Sequence, residues 1–386
     1  MKVGLFINTQ FPEGYSLVER VPEMVAQVRA ARDAGFASLW FPHHWLTHPI
    51  QMLQITPLMG YISAHAQGMT IGPNILILPP LNPVHVAEEA ATLDVLTGGN
   101  YILGVGLGYR EPEFDAFGIS LSERAPRFNE SIALMRRLWT EERVSHKGRF
   151  YTVNDAGIGV KPVRPGGPPL YIAGQAEVSV RRAARIGDAW LIVNTSGLGK
   201  VVPLMQTYRA AVKEYGRTPM EFPITVECYV GARHATAHEE CRGPLEYKYN
   251  AYASWGLQDR TTQGSFQDFA RDRFIIGDKG SVKEEIARYR ELERGSFHHA
   301  LPVARAAAGA SPQIDPAARR DFRVVGFRRP RLHGRRSCVN GRRSPSGSAR
   351  SEGEKELLMR HFASAAIDVR SADDPDRKVG GDAATR

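Results

Sequence analysis

Two adjacent histidines, His43 and His44, lie in the segment Phe41-Pro42-His43-His44-Trp45. A neutral imidazole can accept, donate or transfer a proton near neutral pH, so the pair suits acid–base work on an oxygen-bearing group. The same side chains could equally cap loop carbonyls. A second segment, Gly104-Val105-Gly106-Leu107-Gly108-Tyr109-Arg110-Glu111, is glycine-rich. It lacks the third Gly of a dinucleotide fingerprint, and Pro112 leaves little room for an immediate helix. It permits either close backbone approach to a flat ring or phosphate, or a tight turn. A third segment, Gly174-Gln175-Ala176-Glu177-Val178-Ser179, opens a helix that also carries Arg181 and Arg182. Free N–H groups at a helix start attract phosphate; Gly174 allows close approach and Ser179 could add a hydroxyl. The alternative is an ordinary N-cap. Arg127 and Glu130, three residues apart, read as a structural pair.

These segments need a scaffold, and the chain supplies alternating periods. Short apolar runs predict strands at Val3–Ile7, Ser38–Phe41, Met69–Leu78, Tyr101–Val105, Leu170–Ala173, Ala189–Val193 and Ile224–Val230. Helical patterns lie between them at Leu17–Ala34, Gln51–Ala66, Pro83–Leu96, Ser122–Trp139, Val178–Ile186, Gly199–Tyr215 and Ser281–Glu293. Strand–helix alternation with short loops means parallel strands in an α/β fold, either an eight-fold barrel or an open doubly wound sheet. Glycines at Gly35, Gly98-Gly99 and Gly187 read as helix caps. In a barrel, the histidine pair and both glycine-bearing segments fall at the C-terminal mouth. His146–Val153 reads as a small hairpin. Residues 235–275 form an insertion carrying Tyr247, Tyr249, Tyr252 and Trp255, which reads as a lid over the mouth or a surface excursion.

Of 386 residues, 50 are Lys or Arg and 41 Asp or Glu, a formal charge of +9. Residues 295–386 hold 18 basic and 10 acidic side chains, so nearly all of that excess belongs to the last 92 residues. The body is close to neutral, which disfavours a nucleic-acid-binding surface on it. Cys228, Cys241 and Cys338 are an odd number without a CxxC pair, so neither a disulfide framework nor a structural metal site is expected. No apolar run spans a membrane, and Val3–Ile7 is too short for a signal peptide, which points to the cytoplasm. The tail is Ala/Arg/Gly/Pro/Ser-rich without periodicity and reads as disordered. The boundaries are therefore 1–303 for the barrel domain and 304–386 for a disordered basic tail.

Taken together, His43-His44, Leu78-Pro79 with Asn82-Pro83-Val84, Ala90–Gly99 leading into Tyr101–Gly108, Glu113–Gly118, Arg124–Trp139 and Pro169–Trp190 resemble the luciferase-like monooxygenase family. This family includes bacterial luciferase, alkanesulfonate monooxygenases and deazaflavin-dependent reductases. The resemblance covers about residues 1–293 and implies a TIM (β/α)8 barrel with a flavin-type cofactor at the mouth. It implies that His44 is the active-site histidine and that Asn74-Ile75 is a non-prolyl cis peptide against the cofactor ring. Gly174, Gln175, Ala176 and Ser179 match the phosphate segment. Leu107 stands where luciferase relatives carry a phosphate-binding Arg, with Arg110 a substitute; Tyr109 and Trp190 would line the pocket, and His43 would orient its neighbour. The implied activity is two-component monooxygenation of a small organic substrate by O2 and reduced FMN from a separate flavin reductase, in a homodimer. The alternative is hydride transfer with a deazaflavin coenzyme. A more distant one is an inactive truncated relative or a nucleic-acid-binding module acting through the tail.

The family closes its barrel with an apolar eighth strand and a final helix. Here Ser296–Val303 occupies the strand's place but is poor in β-branched residues, so both elements read as atypical or missing. The switch in composition after Glu293 resembles a change of reading frame in a GC-rich coding sequence. Translating the coding DNA beyond codon 293 in the other frames is expected to recover a family-like strand and helix; failure in both frames would refute the idea.

Overall fold

The computed structural model describes residues 2–193, 197–218, 223–256, 265–293 and 363–368. Its first half runs β1 (Lys2–Phe6), β2 (Gln10–Phe11), α1 (Leu17–Asp33), β3 (Ser38–Phe41), β4 (Gln51–Met52), α2 (Ile55–Ser63), β5 (Thr70–Pro73), β6 (Leu76–Ile77), α3 (Pro83–Leu96), β7 (Leu103–Gly106) and α4 (Glu111–Ala116). It continues with α5 (Arg124–Thr140), β8 (Val144–Lys147), β9 (Thr152–Ala156), β10 (Leu170–Ala173), α6 (Glu177–Ile186), β11 (Ala189–Val193), α7 (Leu198–Glu214) and β12 (Ile224–Val230). The insertion and end follow as α8 (His234–Ser254), α9 (Phe266–Ala270), β13 (Phe274–Gly277), α10 (Lys279–Glu293) and β14 (Ala363–Asp368).

The strands pair in the order β5-β3-β1-β14-β12-β11-β10-β7-β6. Because β5 and β6 are the two halves of one strand interrupted at Asn74-Ile75, this path closes into a barrel. Neighbours are parallel except at β14, which runs antiparallel to both β1 and β12. The eighth place is thus filled atypically, and β14 satisfies backbone groups that would otherwise leave two facing edges unpaired. The expected strand at Ser296–Val303 lies outside the described residues, as does the tail expected to be disordered, apart from Ala363–Asp368, which form this strand. Short β13 pairs with the far half of β12, from Glu227 to Val230.

Alternation along the strands divides the core in two. Leu5, Leu39, Phe41, Leu103, Leu170, Ile172, Trp190 and Ile192 join the layer packed under the helices. Trp40, Ile102, Tyr171, Ala189 and Leu191 fill the barrel interior, with Phe6, Ile75 and Ala173 packed on them. The interior is therefore a solid apolar plug. Each large side chain buried in this way contributes about 1.5–3 kcal/mol.

Helix ends follow local chemistry. Asn82 accepts a hydrogen bond from the Val84 N–H, and Pro83 starts α3 where its missing N–H is harmless. The helix expected from Gln51 begins instead at Ile55, because Gln51-Met52 pairs with Gln10-Phe11. Gly35 has φ +84, as expected of a cap, but Gly187 has φ −92. Its role is room: a Cβ there would lie 2.9 Å from the Ala183 carbonyl oxygen and 3.1 Å from Ile172. The hairpin appears as β8–β9. The insertion is helical and builds a small core of its own, in which Tyr249 packs with Phe266, Phe269 and Phe274. Among the described residues no helix is long and apolar enough to cross a membrane.

Candidate active site

His44 follows β3, at the end of the barrel where the parallel strands finish. Its Nδ1 lies 2.9 Å from Oε1 of Glu113 on α4. The same carboxylate accepts the Trp45 N–H at 2.9 Å and Arg110 Nη1 at 3.1 Å. Glu113 is fully buried. Burial pushes its carboxyl upward, but the His44 hydrogen bond and charge, the Trp45 N–H and the Arg110 guanidinium outweigh this and hold it below the usual carboxylate range. An ionised carboxylate only accepts, so Nδ1 of His44 carries the proton. In the neutral ring Nε2 is then a base, and it faces the Tyr109 hydroxyl at 3.5 Å.

His43 sits differently. It is 5% exposed, its Nδ1 accepts the Ile77 N–H at 3.2 Å, and its ring meets Trp45 edge-on at 4.2 Å. Burial, and then the neighbouring His44 charge, push its pKa down to about 4. It is therefore neutral and fastens the His44 loop to β6. That position suits the orienting role expected of it and not proton transfer.

Arg110 corrects an expectation. It stands not as a phosphate ligand but in the His44 cluster, donating to the Trp45 carbonyl at 2.6 Å, the Leu46 carbonyl at 3.1 Å and Glu113. Its guanidinium also lies 4.4 Å from the Trp255 ring centroid. Trp255, at the end of α8, stacks edge-on to His44 at 5.4 Å, and Tyr252 donates to Gln10 Oε1 at 3.0 Å. The helix of the insertion thus carries aromatics onto the mouth. Trp190 is a second correction. It is buried on the helix side of β11, against Tyr208, and its Nε1 donates to the Gly174 carbonyl at 2.9 Å. It supports the Gly174 loop from behind and does not line the pocket.

Asn74-Ile75 is a cis peptide, as the resemblance implied. Asn74 Nδ2 donates across the barrel to Thr225 Oγ1 at 2.6 Å. Gly106 is required by this arrangement, since a Cβ there would come 2.6 Å from Ile75 Cδ1. The glycines of β7 thus make room for the β5–β6 junction.

The Gly174–Ser179 segment opens α6, and its N-cap residue, Ala176, supplies no side-chain hydrogen bond. Gly174 packs so tightly on Ser179 that a Cβ would collide with the Ser179 side chain. Gln175 and Ala176 are exposed at this rim. An uncapped helix start with a glycine cradle fits the phosphate of a flavin-type cofactor. The apolar platform of Phe6, Ile75 and Ala173 fits its flat ring system. Among the described residues no group of three or more His, Cys, Asp or Glu could hold a metal ion.

Sequence reasoning placed His44 at the mouth but missed the parts that define it. Glu113, Thr225 and Gln10 come from elements remote in sequence. The only local signal was the i, i+3 spacing of Arg110 and Glu113.

Comparison with known proteins gives a matching family model and several similar chains. A family model described as luciferase-like monooxygenase matches residues 1–294. An F420-dependent glucose-6-phosphate dehydrogenase of Intrasporangium calvum is 28% identical over 300 residues, covering 72% of this chain and 87% of that protein. Among solved structures, the monooxygenase RslO1 from Streptomyces bottropensis superposes with a TM-score of 0.66 at 23% identity, covering 76% of this chain and 89% of that one. An F420-dependent secondary alcohol dehydrogenase in complex with an F420-acetone adduct superposes with a TM-score of 0.63 at 23% identity, covering 76% and 91%.

Proposed function

This chain belongs to the luciferase-like monooxygenase family, and on that premise we propose that it is a deazaflavin-dependent oxidoreductase interconverting an alcohol and its carbonyl. The observation that carries this reading is the His44–Glu113 contact at 2.9 Å, which leaves Nε2 of His44 as a base. The relatives that oxidise glucose-6-phosphate and secondary alcohols favour it over the FMN monooxygenase first expected.

The coenzyme, when bound, supplies the hydride acceptor. The residues do the rest. Nε2 of His44 takes the hydroxyl proton as the alcohol is oxidised, and returns it in the reverse direction. Glu113 holds the imidazole in that tautomer and stabilises it once charged. Arg110 and His43 fix the loops that carry the pair. Trp255 and Tyr252 cover the mouth and limit water. The start of α6 would hold the coenzyme's phosphate, and Phe6, Ile75 and Ala173 would support its ring.

Anaerobic titration of the full chain with oxidised deazaflavin coenzyme and with reduced FMN tests this. Deazaflavin binding, followed by its bleaching on addition of secondary alcohols or a sugar phosphate, is the expected result. Tight binding of reduced FMN and no deazaflavin binding, followed by substrate-dependent O2 consumption when the FMN-loaded chain is mixed with aerated buffer, would restore the monooxygenase reading with its separate reductase.

A further inference from the structure

Along the outer face of α6 lies a cleft of about 530 Å3, lined by Glu177, Val178, Arg181, Arg182 and Arg185 of α6, with Asn129 of α5 and Tyr215 beyond α7. It starts at the first residue of α6, next to the Gly174–Ser179 rim, and follows one helical stripe away from the mouth. Three of its side chains are guanidinium groups against one carboxylate. Among the described residues only Arg181 of the three is neutralised, by Glu214 at 2.6 Å. Other arginines on these helices have acidic partners: Arg127 has Glu123, Arg136 has Asp188 and Arg137 has Glu141. Among the described residues Arg182 and Arg185 have none. Arg182 is half-buried, and its pKa is pushed down first by burial and then by the charges of Arg185 and Arg124. The helix dipole accounts for Arg185, in the last turn of α6, but not for Arg182 or for the crowding of like charges beside it.

We propose that this cleft binds an acidic chain attached beyond the cofactor phosphate, with Arg182 and Arg185 as its ligands. A polycarboxylate leaving the start of α6 would run directly along the stripe and replace repulsion between guanidinium groups with charge-assisted hydrogen bonds. FMN, which ends at its phosphate, would leave the cleft unused; coenzyme F420, whose phosphate carries an oligoglutamate chain, would place that chain along it. The proposal rests on the deazaflavin reading above and adds the residues that select the tailed form.

Calorimetric titration of the full chain with coenzyme F420, with the same deazaflavin ending at its phosphate, and with FMN separates the outcomes. In the Arg182→Gln/Arg185→Gln variant, affinity for coenzyme F420 is expected to fall about tenfold or more, while the tail-less form binds within about twofold of wild type. Retained binding of the tail-less form also shows that the variant folds. Equal weakening of both deazaflavins would mean that the arginines serve the phosphate, and no weakening of either would mean a merely solvated face; each overturns the proposal. Binding of FMN alone by wild type would leave the family chemistry standing and overturn this site. Binding of none of the three would overturn the cofactor reading as well.

Discussion

His44→Ala is expected to lower kcat by about 10²–10⁴-fold, the range typical of losing a positioned general acid or base. Coenzyme affinity should change little, because the phosphate segment lies on α6 and the platform residues Phe6, Ile75 and Ala173 belong to the barrel interior. The split separates a catalytic base from a packing residue. His44 is held on one edge by Glu113, and its other nitrogen faces Tyr109 at 3.5 Å. A role limited to packing would raise KM and weaken coenzyme binding together. Steady-state kinetics on an alcohol substrate, with coenzyme titration of the same variant, make the measurement. Near-wild-type kcat would remove His44 from the chemistry and with it the proposed direction of proton flow. Glu113→Gln, which cannot stabilise a charged imidazole equally well, should fall between the wild type and His44→Ala.

Glu113→Ala is expected to cost stability as well as activity, about 3–5 kcal/mol at neutral pH. The carboxylate sits among three donors: the His44 ring, the Trp45 N–H and Arg110. Arg110 is only 7% exposed, so removing its partner leaves a buried cation with two backbone carbonyls and the Trp255 face as compensation. The sign of the pH dependence follows from the lowered carboxyl of Glu113. A group whose pKa is depressed by folding contributes stability that is fully present above its unfolded value, about 4.3 for Glu, and lost as pH falls through the folded value. The gap between wild type and variant should therefore be constant from neutral pH down to about 5 and close in stronger acid. Urea unfolding over that range measures it. A gap below about 1 kcal/mol at neutral pH would show that water replaces the carboxylate and that the cluster is looser than it looks.

Much of the barrel is legible in the chain because its signals are local. Apolar runs such as Leu170–Ala173 and Ala189–Val193 match β10 and β11 residue for residue, and Asn82-Pro83 marks the start of α3. The less legible elements depend on distant partners. Gln51-Met52 reads as helix until Gln10-Phe11 pairs with it. Gly187 reads as a left-handed cap until Ala183 and Ile172 show that the requirement is space. Arg110 reads as a spare cation beside a glycine-rich turn. Only the folded α4 and the loop after β3 give it Trp45, Leu46 and Glu113 as partners.

The sequence by itself determined the strand–helix alternation, the family resemblance through about residue 293, the His44 and Gly174–Ser179 positions, and the concentration of positive charge beyond residue 294. These depend on residue type and short-range spacing, which the chain states directly. The tertiary structure decided the protonation geometry of His44, the structural posts of His43, Arg110 and Trp190, and the placement of Trp255 against His44. It also decided that, among the described residues, Arg182 and Arg185 on α6 have no acidic partner, and that β14 fills the eighth place in antiparallel sense. Each depends on which elements, tens to hundreds of residues apart, the fold brings together. Whether a charge is paired, or which imidazole nitrogen carries the proton, depends on what stands within about 3 Å of it, which folding alone sets.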